Sequence, residues 1–128
     1  MTNQPECIRP LISVGMSFDD AWNLRRIAMQ LHRWHELECG TDTGAVERDE
    51  TTGKTYWYNA MTGRRFPCND RETGALKRLA KIMARYPNLG HYVQGDPRGA
   101  ALYILRPGDV PEGQDVDAYY SRGIAVYQ

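Results

Sequence analysis

Residues 46–86 read VERDETTGKTYWYNAMTGRRFPCNDRETGALKRLAKIMARY, and the pattern changes character part-way along. Val46 to Asp49 and Thr55 to Tyr58 are short β-prone segments flanking a polar turn in which Gly53 suits a tight hairpin. Tyr56, Trp57 and Tyr58 alternate, so the ribbon should bury one face and expose the other. A second turn is expected at Thr62-Gly63, within Met61 to Pro67. From Asn69 the spacing becomes helical. Leu76, Leu79, Met83 and Tyr86 recur at three- and four-residue steps, Asn69 with Glu72 forms a capping box, and Pro87 to Gly90 end the helix. A ribbon running straight into an amphipathic helix predicts an α+β domain.

Working outward, Ser17 with Asp20 starts an earlier helix whose stripe is Leu24, Ile27, Leu31 and Trp34, with Trp22 and Leu37 at its margins and Gly40 as the stop. This helix is expected over residues 18–39. Before it, Pro5, Pro10 and Gly15 predict an extended arm over residues 1–16, leaving 17–128 as the α+β domain. Downstream, HYVQGDPRGAALYIL (residues 91–105) reads as a hairpin turning at Asp96-Pro97-Arg98-Gly99. Residues 107–117 form an acidic loop in which Asp115 caps a short turn through Tyr119, and Gly123 to Tyr127 form the last strand. The expected order is α-β-β-α-β-β-β, a mainly antiparallel sheet with two amphipathic helices on one face.

Composition narrows the function classes. The chain has 128 residues, 41% of them hydrophobic and 25% charged, enough for one core. Lys plus Arg equals Asp plus Glu at 16 each, so any charge-driven binding must come from a local patch. Cys7, Cys39 and Cys68 are an odd number without a CxxC pair, which fits a reducing compartment. No apolar run approaches membrane-spanning length, so a cytoplasmic protein without membrane contact is expected. The oligomeric state is left open. Walker, dinucleotide-binding and HExxH motifs are missing, and no cofactor is expected.

Four constellations remain. His35 and Cys39, four residues apart on one helical face, could bind zinc with Cys68 or His91, but a helix end with an exposed His and a buried thiol explains them more simply. Lys77, Arg78, Lys81 and Arg85 form a basic stripe on the second helix. With Arg64, Arg65 and Arg98, and with Tyr92, Tyr103, Tyr119 and Tyr120 as stacking partners, it would suit single-stranded nucleic acid. The acidic loop dilutes that field. The loop from Gly95 to Gly99 is foremost a tight corner; if it presents a group, Arg98 is that group, with Asp96 beside it. Residues 46–67 locally resemble a WW domain through Glu47, Arg48, Asp49, Gly53, Tyr56, Trp57, Asn59, Thr62 and Pro67. They depart from it where Ala45 and Phe66 stand near the positions of its two tryptophans.

The segments WHELECG (34–40), DRETGALKRL (70–79), YVQGDPRGAALYILRPGDVPEG (92–113) and DAYYSRGIAVY (117–127) resemble a group of small accessory proteins of tailed bacteriophages and prophages of proteobacteria. The resemblance carries no assigned catalytic or binding residues. It implies expression in the bacterial host cytoplasm and a non-enzymatic role in which the protein binds a host protein or complex, for example as an anti-defence inhibitor. A nucleic-acid-binding protein is the alternative, and a small zinc-dependent or cysteine-based enzyme the third reading.

Overall fold

The structure, a computed structural model, describes residues 6–37, 43–96 and 101–126. Helix α1 spans Arg9–Ser13, α2 Phe18–Gln30, α3 Trp34–Leu37, α4 Asp70–Met83 and α5 Val116–Tyr119, the last followed by a 3-10 turn at Tyr120–Arg122. The strands are β1 Gly44–Arg48, β2 Thr55–Tyr58, β3 Arg65–Pro67, β4 Gly90–Gly95, β5 Leu102–Leu105 and β6 Ile124–Val126. They form one antiparallel sheet in the order β3-β2-β1-β4-β5-β6, which makes the protein α+β.

Two expectations about the N-terminal helices need correction. The arm is helical from residue 9, because Pro10 occupies the first turn, where its missing N–H costs nothing. Ile8, Leu11 and Met16 then enter the core, and Gly15, at φ 93°, turns the chain into α2. The helix expected over 18–39 instead stops at Gln30, turns through Leu31 at φ −97° and ψ 6°, and resumes as α3. The break exchanges helical hydrogen bonds for tertiary ones. Arg33, in the turn, reaches Glu72 and the Pro67 carbonyl, and Trp34 lies flat on the sheet over Gly44 and Gly95. Residues 38 and 39 lie outside the described residues.

Strand alternation decides what faces the helices. The registers Val46–Trp57–Phe66 and Val93–Leu102–Val126 point one row of apolar side chains at α2 and α4, with Trp57, Leu102 and Ile104 wholly buried. Strand β3 was not anticipated: the turn at Gly63, φ 74°, folds residues 65–67 back onto β2. The two long helices run antiparallel, since Asp20 near the start of α2 meets Arg85 and Tyr86 after the end of α4. On the opposite face of the sheet, Tyr120 stacks on Tyr92 at 5.1 Å and meets Tyr103 edge-on at 4.9 Å. These rings are used against one another, not held apart for bases as expected. Asp115 precedes α5, but its side chain makes no capping hydrogen bond; its carbonyl accepts from Ala118 N.

Leu31 is fully buried at the break between α2 and α3. Leu31→Ala is therefore expected to cost about 2–5 kcal/mol. A denaturant-unfolding loss below about 1 kcal/mol would show that this position is not core.

Candidate anion-binding and docking surface

The two ends of α4 are anchored by buried carboxylates, and these anchors set which cations remain for binding. At the N-terminal end, Glu72 is 1% exposed. Its Oε1 accepts from Asn69 N at 2.9 Å and from Arg33 Nη2 at 2.6 Å, and its Oε2 from Trp57 Nε1 at 2.7 Å. At the other end, Asp20 accepts from Arg85 Nη1 and from the Tyr86 hydroxyl, both at 2.6 Å. Arg78 donates to Gln30 Oε1. These bonds stitch α4 to α2 and hold Arg78 and Arg85 along the seam.

Between the helices runs a groove of about 430 Å³, floored by Ile27 and Ile82 and edged by Asn23, Gln30 and the cations Arg26, Arg78, Lys81 and Arg85. Arg26 and Lys81 make no ion pair among the described residues. Along α2, on the side opposite its buried stripe, Phe18, Trp22 and Met29 fall at i, i+4 and i+11 and share one face. Phe18 is 45% and Met29 49% exposed, and the Phe18 ring meets Trp22 edge-on at 6.2 Å. Arg25, Arg26 and Asn23 line the shallow depression beside Trp22 and Met29, so the apolar stripe and the cationic groove adjoin through Asn23 and Arg26.

The basic residues expected to act together are separated. Arg78, Lys81 and Arg85 face α2, whereas Lys77 faces a different cavity on the hairpin side of α4. Arg65 opens the edge strand β3, and Arg64 immediately precedes it. Arg65 lies over Tyr56 at 4.7 Å on the face turned away from the helices, and Arg64 over Phe66 at 5.0 Å. They do not extend the α4 stripe. Asp96 is 3% exposed and accepts from the Tyr103 hydroxyl at 3.3 Å, which makes it an interior group; Arg98 lies outside the described residues.

The other constellations resolve locally. His35 packs beside His32, their rings 4.7 Å apart. Cys68 stands just after β3, its thiol pushed up in pKa by burial and therefore protonated at neutral pH. Cys39 lies outside the described residues, and among the described residues no three His, Cys, Asp or Glu side chains gather around a common point. Trp57 belongs to the core and donates to Glu72, so the WW-like ribbon does not present it. Burial, and the Asp117 carboxylate that accepts its hydrogen bond, raise the pKa of Tyr92, which remains a neutral donor. Among the described residues, no helix is long and apolar enough to cross a membrane.

Comparison with family models, curated proteins and solved structures finds no match to this chain. Its surface is thus interpreted from its own chemistry. Trp22 was placed at the margin of the buried stripe; the features that the sequence pattern did not single out are Arg26 and, beside Trp22, the apolar Phe18 and Met29. Their signal was large apolar residues recurring on the side of α2 that should be polar.

Proposed function

We propose that this chain is a non-enzymatic binding protein that holds an acidic protein partner on the combined face of α2 and α4. The observation that carries the reading is the junction of the groove cations with the Phe18–Trp22–Met29 stripe, in which Phe18 and Met29 are exposed and Trp22 is half-buried against the core. A polyanion alone would need only the cations. Aromatic, Met and Arg side chains side by side are the composition of a packed interface core, where a few such residues dominate affinity. Zero net charge is compatible with this arrangement because four cations and no carboxylate line the groove, with Asp19 the one acid lining the adjoining depression. Asp117 of the acidic loop holds Tyr92 on the opposite side of the sheet from α4, so that loop acts on the groove only from across the sheet. The resemblance to phage accessory proteins supplies the setting: a host protein or complex in the bacterial cytoplasm, with inhibition of a defence system as one outcome.

Nucleic acid is the second reading, favoured by Lys77 and Lys81, exposed cations of α4 that make no ion pair among the described residues. The two readings separate on two measurements against the partner captured from an expressing bacterial host. For a protein partner, Met29→Glu and Arg26→Glu should each weaken binding by about 2 kcal/mol or more while far-UV dichroism is unchanged. For nucleic acid, Met29→Glu would cost no more than its added charge, Lys81→Glu would weaken binding to every sequence, and affinity would fall steeply with salt. Full binding by both Met29→Glu and Arg26→Glu would remove this face as the interface.

A further inference from the structure

A second cavity, of about 680 Å³, lies on the other side of α4, under the β1–β2 hairpin. It exists because β1 pairs with β4 only through Gly44–Gly95 and Ala45–Gln94. Beyond those pairs β1 leaves β4 and carries the hairpin over α4. Leu76, Ala80 and Pro67 supply its apolar lining, and its cations are Arg48 from β1, Lys54 from beyond the turn and Lys77 from α4. Arg48 reaches across the turn to within 3.4 Å of the space that a Cβ on Gly53 would occupy. None of the three cations makes an ion pair among the described residues. Asp70 is the one carboxylate among the lining residues, which leaves the cavity two net positive charges.

A polar group lies buried behind the lining. Thr55 Oγ1 is buried with no nitrogen or oxygen partner among the described residues. Its polar neighbour is the Cys68 thiol, a weak partner that burial keeps protonated. Buried hydroxyls are seldom left so poorly served, and this one belongs to a residue lining the cavity, as do the hydroxyls of Thr52 and Thr73.

We propose that this cavity binds a small organic phosphate, a phosphomonoester with an apolar or aromatic body. Two net positive charges match a group that carries nearly two negative charges at neutral pH. The Arg48 fork and the two lysines suit its oxygens, and the apolar surface of Leu76, Ala80 and Pro67 suits its body. The volume lies in the usual range for small-ligand sites. This inference is independent of the docking face, because the cavity is on the hairpin side of α4.

The chain contains only three lysines, Lys54 and Lys77 at this cavity and Lys81 in the groove between α2 and α4, and this permits a direct test. Pyridoxal 5′-phosphate is the probe. Its aldehyde condenses with a lysine amine to an imine with loss of water, and borohydride reduces the imine to a stable secondary amine that peptide mapping locates. Saturable labelling of Lys54 or Lys77, at least about tenfold above Lys81, is expected, with competition by inorganic phosphate and a similar drop in the Arg48→Ala variant. Arg48 is exposed, so its truncation leaves the fold in place, which an unchanged melting curve verifies. Pyridoxal without its phosphate should label only at background. Equal labelling of all three lysines, equal labelling by pyridoxal, or undiminished labelling of Arg48→Ala would each overturn the proposal.

Discussion

Glu72→Ala is expected to destabilise the protein by about 3–5 kcal/mol, among the largest effects of any single substitution in the chain. Three elements converge on this carboxylate. It closes the capping box at the start of α4, receives the indole N–H of wholly buried Trp57 from β2, and pairs with Arg33 in the turn between α2 and α3. Truncation leaves the Trp57 donor without its acceptor in the core and removes the carboxylate that the guanidinium neutralises, so the loss exceeds that of a surface ion pair. Glu72→Gln preserves the shape and an acceptor for Trp57 but not the charge, and should lose less than the alanine variant. Chemical denaturation at equal slope measures both. An alanine variant within about 1 kcal/mol of wild type would mean that the Arg33–Glu72–Trp57 arrangement is not a structural centre.

Trp34→Ala should cost about 3–5 kcal/mol, because the indole is 2% exposed and covers the junction of β1 and β4. Its position depends on two glycines. A Cβ on either Gly44 or Gly95, which face each other across β1 and β4, would overlap the ring. Gly44→Ala alone should thus destabilise by about 1–3 kcal/mol through overpacking. The diagnostic result is the double variant. With the indole removed, a Gly44 methyl is freed of the ring atoms that crowd it, so Trp34→Ala with Gly44→Ala should lose less than the sum of the single losses. Strict additivity would show that Gly44 serves something other than the indole.

Much of the architecture was legible because local rules and tertiary packing agree. Ser17 and Asn69 cap the two long helices, and the glycines at 53 and 63 take the left-handed turn conformation. The Leu24–Ile27–Leu31–Trp34 stripe is buried throughout. The misread segments are those in which a long-range partner outweighed local preference. Pro10 is as compatible with a helix start as with an extended arm, and burial of Ile8 and Leu11 chose the helix. No proline or glycine marks the break at residues 31–33; the bonds of Arg33 to Glu72 and Pro67, 39 and 34 residues away, and the seat of Trp34 on the sheet are what it gains. The basic stripe was visible as a run of charges, but its division between two sides of α4 depends on what lies to either side of that helix.

The amino-acid sequence by itself determined the α+β class, both capped helices, the hairpins and the faces they bury, since hydrophobic period, capping and turn chemistry act over a few residues. The tertiary structure alone decided which charges are available to a partner. Asp20 and Glu72 look like ordinary helix-start acids, yet folding buries them against Arg85 and Arg33. Arg26 and Lys81, outwardly no different from those arginines, remain without ion pairs among the described residues and line the groove. The reason is that a charge is neutralised by whatever packs within a few ångströms of it, and those neighbours come from distant parts of the chain.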